Sequence, residues 1–340
     1  MLTLVVAAAL TGCDDPIQKP DAKGCFQFQI DSFGYLDPEL KKPILVLDVH
    51  VETCAGQGIP NLGPESFILT ESDGSFSEKE GARLIVNMQS YKSMNTKILV
   101  DLSNSVISEG RDVKEVENSV MALKESLMDH AKIWHSVSVA TFDGRSSIQN
   151  ILDFANNKLE AATAISTISK KCPGSLCEDG STNLWGAIQQ SIASFDRFSD
   201  TSQYVNTLVV FTDGTDQANR VSERQALHSV AQFKAKKNKI FTVTVGDEIS
   251  KDTLANLSTH NSEAGRINSL AQLKDRFKLI GRQLDADAHS YYRIGYCSPR
   301  RSSGQALKFK IKYQGTVTNE VTLPYDASSF SGNCGKLGKK

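Results

Sequence analysis

The chain has 340 residues, with 38 Lys and Arg against 39 Asp and Glu and a net charge of −1. That balance argues against nucleic acid or a polyanionic surface as the main partner. With 40% hydrophobic and 7% aromatic residues the composition is that of a globular protein; the length allows two or three domains, and no apolar run is long enough to span a bilayer.

Leu2 to Leu10 is a short apolar region, followed by Leu10-Thr11-Gly12-Cys13 and then Asp14-Asp15-Pro16. The arrangement resembles a bacterial lipoprotein signal, in which cleavage precedes a cysteine that then carries lipid, although no basic n-region stands ahead of Leu2. The resemblance implies a signal and lipobox over 1–13, lipidation of Cys13, and a lipid-anchored place in a bacterial cell envelope, periplasmic or surface-facing. Residues 14–24 are polar with two prolines and read as a tether. Six further cysteines remain: Cys25, Cys54, Cys172, Cys177, Cys297 and Cys334. An even count in an exported protein suggests disulfides, and fifteen connectivities are open. Cys172 and Cys177 flank Pro173-Gly174-Ser175-Leu176, so a local bridge there would stiffen the following loop. A zinc site would need two more sulfur or imidazole ligands nearby, and none is in sequence reach.

Residues 25–95 read as β-rich. Leu47, Val49 and Val51 alternate with Asp48, His50 and Glu52, the pattern of a half-buried strand that leaves His50 on the surface. Residues 61–69 read as a turn entering a second strand. From about Lys97 to Ala288 strands and helices alternate, which predicts an α/β fold: a doubly wound, mostly parallel sheet with helices on both faces. Val113, Val116, Val120, Leu123 and Leu127 recur at helical spacing as a core-facing stripe. Val137, Val139 and Phe142 mark the next strand. Leu184, Ile188, Ile192 and Phe195 form a second helical stripe. Ser222 with Gln225 reads as a capping box, followed by the stripe Leu227, Val230, Phe233 and a solvated basic end at Lys234, Lys236 and Lys237. Residues 240–245 form another buried strand, and 270–284 the last helix. After Tyr291 the pattern returns to β, with Leu307, Phe309, Ile311 and Tyr313 alternating with Lys308, Lys310 and Lys312, lysines that protect a strand edge. The organisation expected is therefore 25–95 β-rich, 96–289 α/β and 290–340 a C-terminal β segment, with the two β segments packed as one sandwich.

Three segments carry the chemistry. Lys97-Ile98-Leu99-Val100-Asp101 is an apolar run ending in an acid, with hydroxyls following at Ser103 and Ser105. Gly180-Ser181-Thr182-Asn183-Leu184 is a small-residue loop opening a helix. Thr207–Asp213 is a second apolar run ending in an acid. Ligands of open α/β sheets bind at the carboxyl ends of the strands, and hard oxygen donors suit Mg²⁺ better than zinc or copper. The three segments, in this order, resemble the von Willebrand factor type A family, whose metal-ion-dependent adhesion site reads D-x-S-x-S, a loop threonine, and an aspartate after a later strand. The resemblance implies Asp101, Ser103, Ser105, Thr182 and Asp213 as ligands of Mg²⁺, with Mn²⁺ or Ca²⁺ as substitutes. It also implies a coordination position left open for an Asp or Glu of a protein partner, and a mobile last helix. An envelope scaffold binding a protein of its own cell is the alternative within the same class. A haloacid-dehalogenase-type phosphatase would also place an aspartate after an apolar strand, but it needs a second acid where Ser103 stands. The expectation is a binding module, not an enzyme.

Overall fold

The computed structural model describes residues 25–36, 43–71, 82–87, 92–107, 113–128, 135–259, 265–298, 302–328 and 330. Cys13, the tether and Cys334 lie outside them. In chain order the elements are β1 (Phe26–Leu36), β2 (Pro43–Thr53), β3 (Phe67–Glu71), β4 (Ala82–Asn87), β5 (Ser93–Asp101), α1 (Asn104–Ile107), α2 (Val113–Met128), β6 (His135–Phe142) and β7 (Gln149–Ala155). There follow α3 (Lys158–Ile165), α4 (Ile168–Lys171), α5 (Leu184–Ala193), β8 (Tyr204–Thr212), α6 (Glu223–Ala235), β9 (Lys239–Val245), α7 (Lys251–Leu257), β10 (Arg266–Ile267) and α8 (Leu273–Ala288). The chain closes with β11 (Tyr291–Cys297), β12 (Gln305–Tyr313), β13 (Thr316–Val317) and β14 (Val321–Tyr325). Two compact units result, one from residues 89–285 and one from the described parts of 1–88 and 286–340. Among the described residues no helix is long and apolar enough to cross a membrane.

The first unit is the α/β fold expected. Its sheet runs β10-β9-β8-β5-β6-β7, parallel throughout except for the antiparallel edge strand β7. The central strands are apolar on both sides because helices cover both faces. Ile98 and Val100 of β5 point into a core shared with α2, α3, α4 and α8, while Leu99 points into one shared with α5, α6 and α7. The stripe of α2 is buried along Val116, Val120 and Leu123, and the capping box of α6 forms as the sequence suggests. The last helix begins at Leu273, preceded by a 3-10 turn at Leu270–Gln272, and it runs on to Ala288. A Cβ on Gly281 of α8 would come within 2.4 Å of the Ser126 Cβ of α2, so the two helices touch where only glycine fits. The basic end of α6 is less solvated than its sequence suggests. Lys234 Nζ donates to the carbonyls of Asn256 (2.9 Å) and Ser258 (3.0 Å), closing the end of α7, and burial lowers its pKa.

His135, at the start of β6, is fully enclosed with its Nε2 2.8 Å from Thr96 Oγ1. Burial pulls its pKa down to about 4 from 6.5. Between those values the unfolded chain takes a proton that the folded chain refuses, so this group's contribution falls as pH drops through 6.5 towards 4. The full linkage is about 3 kcal/mol, at roughly 1.4 kcal/mol per pH unit of difference. His135→Gln is therefore expected to gain roughly 2–3 kcal/mol relative to the wild type on going from pH 7 to pH 4.5. Denaturant unfolding of both proteins at the two pH values checks it, and a pH-independent difference would contradict it.

The second unit interleaves strands from both ends of the chain. One antiparallel sheet runs β1-β2-β11-β4; in the other, β12 pairs with β3, β13 and β14. Their facing side chains, including Leu47, Val49, Val51, Phe67, Ile294, Leu307 and Phe309, share one core. Cys25–Cys54 bridges β1 to the end of β2. The polar side of β2 is not a surface. Asp48 receives Arg293 Nε at 2.7 Å and Nη2 at 2.9 Å. His50 is only 8% exposed, lies 3.2 Å from Asp287 Oδ1 and stacks on Tyr291 at 4.3 Å. The expectation of a surface His50 is thus corrected: it is a buried, bonded side chain of the strand's second face.

Candidate metal centre

After β7 the chain crosses back over β5 to lay down β8 on its other side. The carboxyl ends of β5 and β8 therefore flank the point where the winding reverses, the place where open α/β sheets leave a crevice for ligands. Asp101 closes β5 and Asp213 directly follows β8.

Four of the five candidate ligands are joined by hydrogen bonds. Asp101 Oδ1 accepts the Ser103 backbone N–H at 2.8 Å, and Oδ2 accepts Thr212 Oγ1 at 2.6 Å. The Ser103 and Ser105 hydroxyls are 3.1 Å apart, and Ser105 Oγ donates to Asp213 Oδ1 at 2.8 Å. Thr182 is on a different loop, held by its backbone. Its carbonyl accepts from Gln217 and Ala218 N–H at 2.9 and 3.0 Å, tying it to the loop after β8. Two residues earlier, the Gly180 carbonyl accepts Asn104 N–H at 3.0 Å, tying the same loop to that of Ser103 and Ser105. Asn183 then caps α5 through the Gly186 N–H. The Cys172–Cys177 bridge forms just upstream of this loop. Cys297 is disulfide-bonded as well.

Asp101 is fully buried, so it is not the loop-edge group its place at a strand end suggests. Burial pushes its carboxyl up to about 7; the Thr212 and Ser103 hydrogen bonds oppose that rise and the nearby Asp213 charge adds to it. Among the described residues no Lys, Arg or His forms an ion pair with Asp101. A buried carboxylate without a cationic partner, two serine hydroxyls and a second carboxylate make an all-oxygen donor set. This fits a hard divalent cation that keeps some of its waters. Among the described residues no three His, Cys, Asp or Glu side chains converge on a metal position, so hydroxyls have to supply part of any coordination sphere here.

The sequence reading missed three residues that organise this edge. Thr212 holds Asp101 from β8. Asp216 accepts Trp185 N–H at 3.1 Å and Asn219 N–H at 2.9 Å, fixing the start of α5 against the loop after β8. Asp143 follows β6 and is 1% exposed. A signal for Asp143 was present, because Val137–Asp143 is a third strand-like run ending in an acid.

The von Willebrand factor type A domain model matches residues 97–278, and the chain belongs to that family. No curated protein matches the chain. Among solved structures it is similar to proximal thread matrix protein 1 of the mussel byssus, at 15% identity and TM-score 0.46 over 57% of this chain and 48% of that one. It therefore spans about half the length of that protein. A von Willebrand factor type A protein from Catenulispora acidiphila aligns at 12% identity and TM-score 0.45, covering 88% of this chain and 72% of that one. Manganese-loaded TRAP protein of Plasmodium vivax aligns at 12% identity and TM-score 0.44, covering 73% and 97%.

Proposed function

We propose that this chain is a membrane-anchored, divalent-metal-dependent protein-binding module of the adhesion type. The observation that carries the reading is the bonded series Asp101–Ser103–Ser105–Asp213 at the reversal point of the sheet, with Asp101 buried and uncompensated. Ser103 and Ser105 would hold the ion directly, Asp101 and Asp213 would supply charge through water or directly, and Thr182 would complete the set. Bound there, Mg²⁺, or Mn²⁺ or Ca²⁺ in its place, supplies an electrophilic position for an Asp or Glu carboxylate of the partner. The hydroxyl donors add no charge, so the site leaves attraction for that incoming acid. Thr212 and the Ser103 N–H keep both Asp101 oxygens aimed, so little reorganisation is needed when the partner arrives.

The expected result is that panning a random peptide library against the full chain in saturating Mg²⁺ enriches peptides containing Asp or Glu, and that none of these is retained in EDTA. Retention of the same peptides in EDTA would contradict the reading. The place of action we infer is a bacterial envelope, with Cys13 lipidated. The bridges Cys25–Cys54 and Cys172–Cys177 support an oxidising compartment. Mass spectrometry of the mature N-terminus is expected to find an acylated Cys13; a mature chain that still carries residues 1–12 would refute it.

A further inference from the structure

We propose that Asp143 is the positioning residue of the metal centre: it closes the Thr182 loop on itself and so fixes where the threonine stands before any ion arrives. This rests on the metal-binding reading above.

The Asp143 carboxylate is enclosed and accepts four N–H groups. Oδ1 takes the Arg145 backbone N–H at 3.0 Å and Arg145 Nε at 2.9 Å. Oδ2 takes the N–H groups of Glu178 and Asp179, both at 3.2 Å. The backbone carbonyl of the same residue accepts the Asn183 N–H at 3.0 Å. Segment 178–183 is therefore pinned at its beginning by the side chain of Asp143 and at its end by its main chain, with Thr182 just inside the second pin. Between the pins, Gly180 lies so close to the Ser103–Ser105 loop that a Cβ there would come within 2.1 Å of Asn104 Nδ2.

Arg145 extends the anchor outward. Its Nη1 donates to the Ser175 carbonyl at 3.1 Å, inside the Cys172–Cys177 loop, and to Glu178 at 3.0 Å. Asp143 has no hydrogen bond to Asp101, Ser103, Ser105 or Asp213, so it acts on the site only through the loop. A carboxylate is required, because it offers acceptors on both oxygens. An amide would turn an N–H₂ group towards the N–H groups of Glu178 and Asp179 or towards those of Arg145, and one pair of bonds would be lost. A loop that holds its threonine in place only part of the time lowers the apparent metal affinity by that fraction.

The test compares wild type, Asp143→Asn, Thr182→Val and the double variant of the full chain by calorimetric titration with Mn²⁺. Amide hydrogen exchange over 176–184 is followed in metal-free protein. Asp143→Asn is expected to weaken Mn²⁺ binding about 10–100-fold, the usual effect of removing an outer-shell support, and to speed exchange at 178–183. The double variant is expected to bind no more weakly than Thr182→Val alone, because both changes remove one contribution. His135→Gln, which alters a buried side chain of the same unit at the far end of the sheet, should leave Mn²⁺ affinity unchanged. Unchanged affinity and exchange in Asp143→Asn, or losses that simply add in the double variant, would overturn the proposal. If the wild type binds no Mn²⁺, the metal reading itself has failed, and exchange alone then decides whether Asp143 anchors the loop. Should Asp143→Asn fail to fold, Arg145→Gln removes the outer half of the anchor and is read in the same two assays.

Discussion

From the proposed metal site, Asp101→Ala is expected to abolish Mg²⁺ binding and, with it, the stabilisation that Mg²⁺ is expected to give the wild-type chain. An ion that binds only the folded state stabilises it by about 2.7 kcal/mol at a hundred times its dissociation constant. For a unit of this size that corresponds to a rise in Tm of about 5–10 °C. Without metal the substitution should cost little. It leaves the Ser103 N–H without that acceptor, at about 1–3 kcal/mol, while Thr212 Oγ1 keeps the Gly214 carbonyl at 3.2 Å, and it also removes a carboxyl that burial has pushed up to about 7. The wild type and the variant should therefore melt near each other in EDTA and separate in Mg²⁺. Asp213→Ala should behave alike, since it takes the acceptor from Ser105 Oγ. Thermal unfolding in the two conditions checks this, and an equal Mg²⁺ shift in wild type and Asp101→Ala would contradict it.

The second large effect lies in the last helix. Leu273, Phe277, Ile280 and Leu284 line the buried side of α8, and Phe277 is wholly enclosed, with its ring 6.5 Å from that of Phe211 on β8. Removing a buried phenylalanine side chain costs about 3–5 kcal/mol, through lost transfer energy and the cavity left behind. Phe277→Ala should therefore lower Tm by roughly 6–20 °C at 2–4 °C per kcal/mol. Phe211 is two residues from Asp213, so a loosened α8 reaches the base of the candidate site. A cost below about 0.5 kcal/mol, within the range of surface substitutions, would mean that α8 is only loosely docked in solution.

Much of this was legible in the sequence. An apolar run that stops at an acid marks both the strand and the edge where it ends, so the sequence alone places Asp101 and Asp213 at the edge of the sheet. The hydroxyl spacing at Ser103 and Ser105 carried the expectation of oxygen ligands, and the stripes of α2 and α6 carried the two cores. What could not be read was anything set by a partner far along the chain. Alternation in β2 identifies the side that meets the apolar core, but not that Arg293 and Asp287, more than 230 positions away, cover the other side at Asp48 and His50. The burial of Asp101 depends on β8 lying alongside β5 and presenting Thr212 to it. Asp143 carried the same strand-end signature as the two candidate ligands. Its task becomes visible only once Glu178 and Asp179 are folded against it.

The measurement that bears most directly on the central claim is calorimetric titration of Mg²⁺ into the EDTA-stripped full chain, with Ser103→Ala beside it. Ser103→Ala removes the hydroxyl ligand while keeping both carboxylates and the Ser103 backbone N–H that Asp101 accepts. Saturable binding to one site in the wild type, lost in Ser103→Ala, is the predicted result. Absence of saturable binding in the wild type, or equal binding in the variant, would contradict a metal centre at the carboxyl edge of β5 and β8.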